Sequence, residues 1–572
     1  MFLGPKILSK ARMNHMHMKS FQFVLLTAAV SFLIPLSLPG QQEEVRVVKP
    51  YTPILSGAEK IQLLPSLDEE IAFESPDFTY QLFQKRYESE FSVEPIRAAR
   101  MVQPPLNKLY KSQLTIGMGN YLTPLAELNI SQLRSRNGTF GVNLKHHSMN
   151  GKVTLKTEPE KLRADAGFSE SVAEIFGSRF LRNSVFDYKA GTSYNTTVHY
   201  GVDPDLDTVL ARKDAVHPYF TAAGGIGMHS MHADSFHLNY DADLEYYYFT
   251  HQFDQVEHGG TFDFVFDKTL RVIDIAGDAG FAYYRHDESW DPVLGNQVII
   301  RLDPRVAKSS AEWKFTAGVN TYYEIRNGVF TPHFYPRATF QFNIVREVIV
   351  PYFGVDGYLE SNNIRKTVEE NPYVVPGLAL MPTNYKLVAY AGLKGRFSDA
   401  VAWNLKGSYS IIDDQYYFVN DTSSELMNQF GVVYDDLTMI KVHGEFTIRP
   451  SDPWKIFLKG NYYNYLMVRE EHPWHHPDFD ISLQLRYNMS DKILFNSGIF
   501  AIGPRYFKVF QPGADPGRLP LTIDANLGVE YRYSKLLSFW ATINNLAAQK
   551  YYIYNQYPSY RFRVMLGLTY AL

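Results

Sequence analysis

Arg561-Phe562-Arg563-Val564-Met565-Leu566-Gly567-Leu568-Thr569-Tyr570-Ala571-Leu572 closes the chain. Its even positions, Phe562, Val564, Leu566, Leu568, Tyr570 and Leu572, are all apolar or aromatic. Its odd positions, Arg561, Arg563, Met565, Gly567, Thr569 and Ala571, are mostly charged, polar or small. A strand sends successive side chains to opposite faces, so this is a two-sided strand. One face suits lipid and the other an aqueous lumen. It runs to the last residue, as the closing strand of a transmembrane β-barrel does.

The alternation recurs upstream. Leu519, Leu521, Ile523, Ala525, Leu527, Val529 and Tyr531 interleave with Thr522, Asp524, Asn526, Gly528, Glu530 and Arg532. Phe479, Ile481, Leu483, Leu485, Tyr487 and Met489 interleave with Asp478, Asp480, Ser482, Gln484, Arg486 and Asn488. Ile440, Val442, Gly444, Phe446 and Ile448 do so with Lys441, His443, Glu445, Thr447 and Arg449. Tyr385, Leu387, Ala389, Ala391, Leu393 and Phe397 do so with Lys386, Tyr390, Lys394 and Arg396. One segment of about ten alternating residues is a weak signal, but a long series of them is the signature of a membrane barrel. A soluble β-sandwich or propeller would not leave one face bare of charge in strand after strand.

Composition agrees. Tyr and Phe are over-used, with 40 and 39 copies among 572 residues, as aromatic girdles at two bilayer interfaces require. Beyond the N-terminus no apolar stretch is long enough for a spanning helix. The absence of Cys excludes disulfides, thiolate zinc sites and Cys nucleophiles. A formal charge of −4 gives no nucleic-acid footprint.

The N-terminus reads as a secretory signal peptide over 1–40. Lys6, Lys10, Arg12 and Lys19 precede an apolar run at 21–38, and Pro39-Gly40-Gln41 follows. Met16 or Met18 as the start gives a more usual basic region, with cleavage expected near Gly40. The run also fits a membrane anchor, but no Cys follows it to carry a lipid. A signal peptide and a β-barrel together imply the outer membrane of a Gram-negative cell.

The segment 41–105 does not read as barrel. It holds Pro50, Pro53, Pro65, Pro76, Pro95, Pro104 and Pro105, mixed charge and no sustained period. It is expected to be periplasmic or to enter the lumen. Barrel strands are expected over 106–572. Short turns fall at Asn137-Gly138, Ala233-Asp234, Ser398-Asp399, Ser451-Asp452-Pro453, Ser490-Asp491 and Ser534-Lys535. Longer loops alternate with them at roughly 150–168, 201–217, 287–296, 360–383, 412–436, 467–477, 503–518 and 547–558. Outer-membrane barrels keep short turns in the periplasm and long loops outside. The fold class is therefore all-β, a transmembrane antiparallel β-barrel of about 22 strands (range roughly 18–22).

Thr542-Ile543-Asn544-Asn545-Leu546, Gln549-Lys550-Tyr551-Tyr552-Ile553-Tyr554, Tyr557-Pro558 and the closing strand together resemble the C-terminus of TonB-dependent receptors. That family ends in an Asn-Leu-Phe-Asn-Lys-Tyr-Tyr-like segment, a Tyr-Pro or Pro-Gly turn and a last strand finishing in an aromatic. Here Ala547 stands for the usual Phe, and Leu572 for the terminal aromatic. The resemblance implies a 22-strand transport barrel, in agreement with the count made from the turns. It also implies a folded plug before the barrel. This chain offers only 41–105 there, without the plug's Gly-rich and Arg-Gly motifs. Glu43-Glu44-Val45-Arg46-Val47-Val48-Lys49-Pro50-Tyr51 resembles a TonB box, with Glu44, Val45, Arg46, Val47 and Val48 as its core. Such a box acts by donating a strand to its partner. The bland reading is a proline-bounded linker.

Few constellations point to chemistry. Glu470-Glu471-His472-Pro473-Trp474-His475-His476-Pro477-Asp478 places His472, His475 and His476 in one loop, a set that can bind a transition metal. An incidental polar loop is the simpler reading. Asp203, Asp205 and Asp207 alternate as Ca²⁺ ligands can, but the Gly and distal Glu of an EF-hand are missing. His146 and His147 point apart, and so do His229 and His232. Gly224-Gly225-Ile226-Gly227 lies in a strand, where glycines relieve barrel curvature rather than hold phosphate. No segment sets a nucleophile beside a base and an orienter, so no enzyme and no cofactor are expected. Lumen-facing Lys441, His443, Glu445, Arg449, Asp524, Glu530, Arg532, Arg561 and Arg563 carry both signs, which suggests salt bridges bracing the wall near the closing seam.

The leading expectation is a plugless barrel that forms or gates a path for a solute. A structural or assembly subunit of an outer-membrane complex is the alternative. A receptor whose plug comes from another chain is a third. Expected partners are outer-membrane lipid, TonB or a periplasmic or surface lipoprotein, and no nucleic acid.

Overall fold

The computed structural model describes residues 110–572 apart from 133–134, 157–160, 204–205, 207–208, 233–236, 252–254, 287–295, 346, 424–425 and 512. The expected signal peptide at 1–40, the 41–105 segment and the TonB-box-like residues Glu44–Val48 lie outside the described residues, as do Asp205 and Asp207.

The chain opens with β1 (Ser112–Gly119), β2 (Thr123–Ser131), β3 (Gly138–Lys156), β4 (Leu162–Phe180) and β5 (Ser184–Val198). A short helix, α1 (Arg212–Ala215), precedes β6 (Val216–Ser230), β7 (Asn239–His251), β8 (Gln255–Leu270) and β9 (Ile273–His286). Next come β10 (Gln297–Ser309), β11 (Trp313–Arg326), β12 (Val329–Phe342) and β13 (Val350–Glu360). Helix α2 (Ile364–Glu370) separates these from β14 (Thr383–Ser398), β15 (Val401–Asn420), β16 (Phe430–Ile448), β17 (Trp454–Met467), β18 (Phe479–Met489) and β19 (Ile493–Ile502). The last quarter holds β20 (Arg505–Phe507), β21 (Gly517–Leu519), β22 (Thr522–Arg532), β23 (Leu537–Asn544), β24 (Tyr552–Tyr554), β25 (Tyr557–Pro558) and β26 (Arg563–Ala571).

All but β20, β21, β24 and β25 pair antiparallel in one 22-stranded sheet. β1 pairs with β26 and closes it, so the barrel has no free edge. Closure brings Gly117 opposite Gly567, and the Trp540 ring of β23 lies against both. A Cβ at Gly567 would stand 2.2 Å from that ring, and one at Gly117 2.5 Å. Only glycine fits at either position.

The face assignment holds around the ring. Leu566, Val442, Ile481 and Ile523 point outward with 62, 51, 45 and 43 % of their surface open to the surroundings. So wide an apolar exterior is stable only against lipid. The expected turns near 137, 398, 451, 490 and 534 all fall at one end, the turn end, where β1 also begins. Ser490 and Asp491 both take positive φ (52° and 56°), the backbone of a two-residue hairpin turn.

The loop end differs from the sequence reading in three ways. The expected loops at 150–168 and 412–436 are mostly strand, because β3, β4, β15 and β16 run on past the level at which their neighbours stop. Those extensions carry inward aromatics such as Tyr416 and Phe418, which pack on one another with ring centroids 5.6 Å apart. The loops at 503–518 and 547–558 contain the small hairpins β20–β21 and β24–β25. Some loop-end connections are tight instead of long. Asn327-Gly328 joins β11 to β12 with φ of 52° and 77°, a turn that its Asn-Gly pair announces.

Candidate functional site

The largest apolar core is not in the wall but across the loop end. Its buried members come from the strand extensions (Val153, Leu155, Ala164, Phe249, Tyr416) and from the loops themselves (Tyr200, Ile364, Val368, Tyr373, Tyr557). Together they form a cap over the mouth.

The cap is built from the helix upward. Asn363 starts α2, its side-chain oxygen accepting from the Lys366 N–H at 2.8 Å. The free N–H groups of Ile364 and Arg365 donate to the Glu257 carboxylate of β8 at 2.7 and 3.3 Å. The Tyr247 hydroxyl of β7 donates to the same carboxylate at 2.7 Å. Glu257 is fully buried, so these donors replace the water it has lost. Glu257 thereby holds the helix from a strand five places along the ring, and the buried face of the helix is Ile364, Thr367 and Val368.

After the helix the chain runs beside β16. Phe430 N–H donates to the Tyr373 carbonyl at 3.0 Å, and Val375 N–H donates to the Phe430 carbonyl at 2.9 Å. Tyr373 stacks on Tyr557 with ring centroids 3.6 Å apart. Tyr557 is fully buried against Gly201, and its hydroxyl donates to the Asn428 carbonyl. Tyr200 donates to the Pro558 carbonyl at 2.8 Å, and the Asn428 amide donates to the His199 carbonyl at 3.3 Å. Residues 199–200 follow β5 and Asn428 follows β15. These strands are on opposite sides of the ring, so the bonds cross the mouth.

The loop histidines are part of this knit. His475 is buried, donates from Nδ1 to the Phe418 carbonyl at 3.0 Å and accepts from the Asn555 N–H at Nε2, 3.3 Å away. Both nitrogens are therefore used by a neutral ring. Burial, with Arg505 and His476 nearby, pushes it down to about 3. His476 bonds the Trp474 carbonyl at 3.0 Å, and burial lowers it also. His472 lies flat on Tyr506 at 4.0 Å. The three rings serve three different contacts, and no group of three potential metal ligands occurs among the described residues. Arg505 completes the arrangement by donating to the carbonyls of Ile553 and Tyr552.

Under the cap is a cavity of about 640 Å³ bounded by β4, β5, β6 and the underside of the β24–β25 hairpin. Its walls combine rings (Phe168, Tyr219, Tyr560) with charge (Glu170, Glu369, Arg563). Asn195 Oδ1, the Tyr560 hydroxyl and Arg563 Nε are buried there with no hydrogen-bond partner among the described residues. Buried polar atoms of this kind call for a ligand or ordered water.

The salt bridges expected near the closing seam are sparse: Arg532 to Glu530 at 3.4 Å and His443 to Glu445 at 3.7 Å. The dense network lies elsewhere. Arg305 holds Asp278 with both terminal nitrogens (2.7 and 2.9 Å) and Asp303 at 3.0 Å, and Arg337 bonds Asp303 and lies 3.6 Å from Asp356. It braces β9 to β13 from within. Its members are scattered over four strands and 79 positions of sequence, so no local motif announces it, although every one occupies a lumen position.

No family model matches the chain, and no curated protein matches it. Solved structures do. A ferric enterobactin receptor mutant from Pseudomonas aeruginosa superposes with a TM-score of 0.60 at 10% identity, over 81% of this chain and 80% of that one. The ferripyoverdine receptor of the P. aeruginosa outer membrane gives 0.60 at 11%, over 82% and 72%. The ferric-catecholate import receptor Fiu of E. coli K12 gives 0.59 at 9%, over 82% of each. The likeness establishes the fold: a closed 22-stranded antiparallel β-barrel like those of these receptors.

Proposed function

We propose that this barrel is a gated transport component for a solute that crosses the outer membrane. The observation that carries the reading is the polar, aromatic-walled cavity directly beneath a cap that loops from opposite walls close together. The cap shields what the cavity holds. A barrel of this size is otherwise wide enough to leak, and those known are plugged. The loop end faces outward and the turn end the periplasm. Residues 1–40 are a signal peptide, and 41–105 enter the lumen from the turn end as a partial plug. The TonB-box-like stretch Glu44–Val48 then offers TonB an extended strand to pair with.

Conductance of the purified protein in planar bilayers tests this. Deleting residues 42–100 should raise single-channel conductance and, in cells, antibiotic sensitivity. Unchanged values on both counts sink the partial-plug reading. A Cys placed at Ser66 should resist impermeant reagents on intact cells, and efficient labelling would reverse the topology. The closed cap favours one second reading, a scaffold for partner proteins. Absence of conductance even after the cap is loosened would select it.

A further inference from the structure

Below the cap the lumen wall sorts its charge by strand. On β7 to β9 the inward positions carry Asp241, Asp243, Glu245, Asp263 and Asp278. Basic neighbours answer several of them: Lys189 pairs with Glu245, Arg301 with Asp263 at 2.9 Å and Arg305 with Asp278. On β14 to β17 the sign reverses. Lys394, Lys406, Lys441 and Lys459 occupy inward positions; Lys441 lies within electrostatic range of Lys406 and Lys459 and also of Asp480 on β18, and Glu445 stands opposite Lys459. The first three hold their ammonium groups over the rings of Tyr352, Tyr390 and Tyr463, at 5.4, 4.3 and 5.2 Å from the centroids. Among the described residues no carboxylate pairs with Lys394, Lys441 or Lys459. The four ammonium groups outnumber these two carboxylates, and a net excess of one sign on a low-dielectric wall attracts an added anion.

We propose that residues 67–80 of this chain dock on that lysine–tyrosine wall. The proposal rests on the reading that 41–105 enter the lumen, and it names the stretch and the surface. Leu67-Asp68-Glu69-Glu70-Ile71-Ala72-Phe73-Glu74-Ser75-Pro76-Asp77-Phe78-Thr79-Tyr80 holds five carboxylates, and no Lys or Arg occurs between Lys60 and Lys85. Its carboxylates meet the ammonium groups, and Phe73, Phe78 and Tyr80 meet the tyrosines. Access agrees with charge. β1 begins at the turn end, so the chain before it is delivered to that mouth, while the cap covers the other. The 31 residues 81–111 reach up to about 100 Å when extended, far beyond the depth of the lumen. Tethering also gives the segment an effective concentration that a free anion does not have.

The full-length chain tests this well, because it has no Cys of its own. Ser75→Cys is combined either with Ser408→Cys, beside Lys441 on the basic wall, or with Thr261→Cys, beside Glu245 on the acidic wall. Heat-modifiable migration confirms the barrel in each variant. Under mild oxidation the 75–408 disulfide should form roughly tenfold faster than 75–261, the ratio for a preference of about 1.4 kcal/mol. D68K/E69K/E70K should abolish the preference, and K394E/K406E/K441E added to it should restore it. Equal rates on both walls, or a preference untouched by charge reversal, overturn the proposal. If deletion of 42–100 raises conductance while the disulfide preference is absent, the docking fails and the partial plug stands. If the deletion changes nothing, the parent reading fails first. Protection of the wall lysines from acylation by polyglutamate, equally strong with and without residues 42–100, would assign the wall to an anionic solute and overturn the proposal.

Discussion

Tyr557→Ala should open the cap and leave the barrel intact. Tyr557 is fully buried and stacks on Tyr373 at 3.6 Å, with Tyr200 edge-on at 5.1 Å. Removing a buried aromatic side chain costs about 3–5 kcal/mol. The Asn428 carbonyl then loses its donor, which adds about 1–3 kcal/mol if it stays buried. The loss therefore comes to about 4–8 kcal/mol, the scale of a whole domain's stability. It falls on the cap alone, because Tyr557 takes no part in the 22-stranded ladder. Tyr557→Phe keeps the stacking and should cost only the unpaired carbonyl, about 1–3 kcal/mol. The assay pairs protease nicking of 545–562 on intact cells with bilayer conductance. Both should rise in the order wild type, Phe, Ala, while heat-modifiable migration stays constant. If Tyr557→Ala abolishes heat-modifiability, cap and wall form one cooperative unit and the separation argued here is wrong. If nicking and conductance do not change, the cap does not depend on this knot.

Leu566→Arg on the lipid face should cost roughly 2–4 kcal/mol near the midplane, and the same change at lumen-facing Thr569 much less; equal tolerance in urea refolding would break the face assignment. Gly567→Val should hinder closure, since its side chain must displace Trp540 from the β1–β26 seam; unaltered folding yield would count against that contact. Acid should loosen the cap. The buried His475 titrates near 3 and a released imidazole at 6.5, so between those values the open state binds the extra proton. Cap stability is therefore full above pH 6.5 and falls by about 1.4 kcal/mol per unit as pH drops toward 3. Loop nicking that is equal at neutral pH and at about pH 4.5, or equally acid-sensitive in His475→Gln, would contradict this.

The wall was legible and the cap was not, for a physical reason. Leu566, Val442 and Ile481 declare their face because lipid imposes the same demand on every strand, and that demand repeats with period two. Turn chemistry fixed the count in the same local way, as at Ser490-Asp491. The cap has no period. Tyr200, Tyr373 and Tyr557 meet only because strands far apart in sequence bend round to one mouth. The histidines His472, His475 and His476 looked like a unit in sequence, yet each turns to a different partner. Charge sorting between β7–β9 and β14–β17 was present in the alternation all along. It became readable only when register assigned every strand a place on the ring.

Cap and wall also differ in how firmly they are held, and on the proposed reading that difference is the barrel's means of gating. Each wall strand is tied to two neighbours by a ladder of backbone bonds, with no water inside the bilayer to replace them. Opening the wall would break whole ladders at once. The cap is tied by single bonds between loops, such as Tyr200 to Pro558 and Asn428 to His199, each worth about 0.5–1.5 kcal/mol net because water can take their place. Its rings supply most of the remaining hold, and a ligand that stacks on Tyr219 or Tyr560 in the cavity below can compete for the same faces. On the proposed reading, a solute that takes over several of these contacts loosens the cap while the wall ladders stay closed. The low-stability element and the polar cavity lie next to each other, which is the arrangement a ligand-gated path requires.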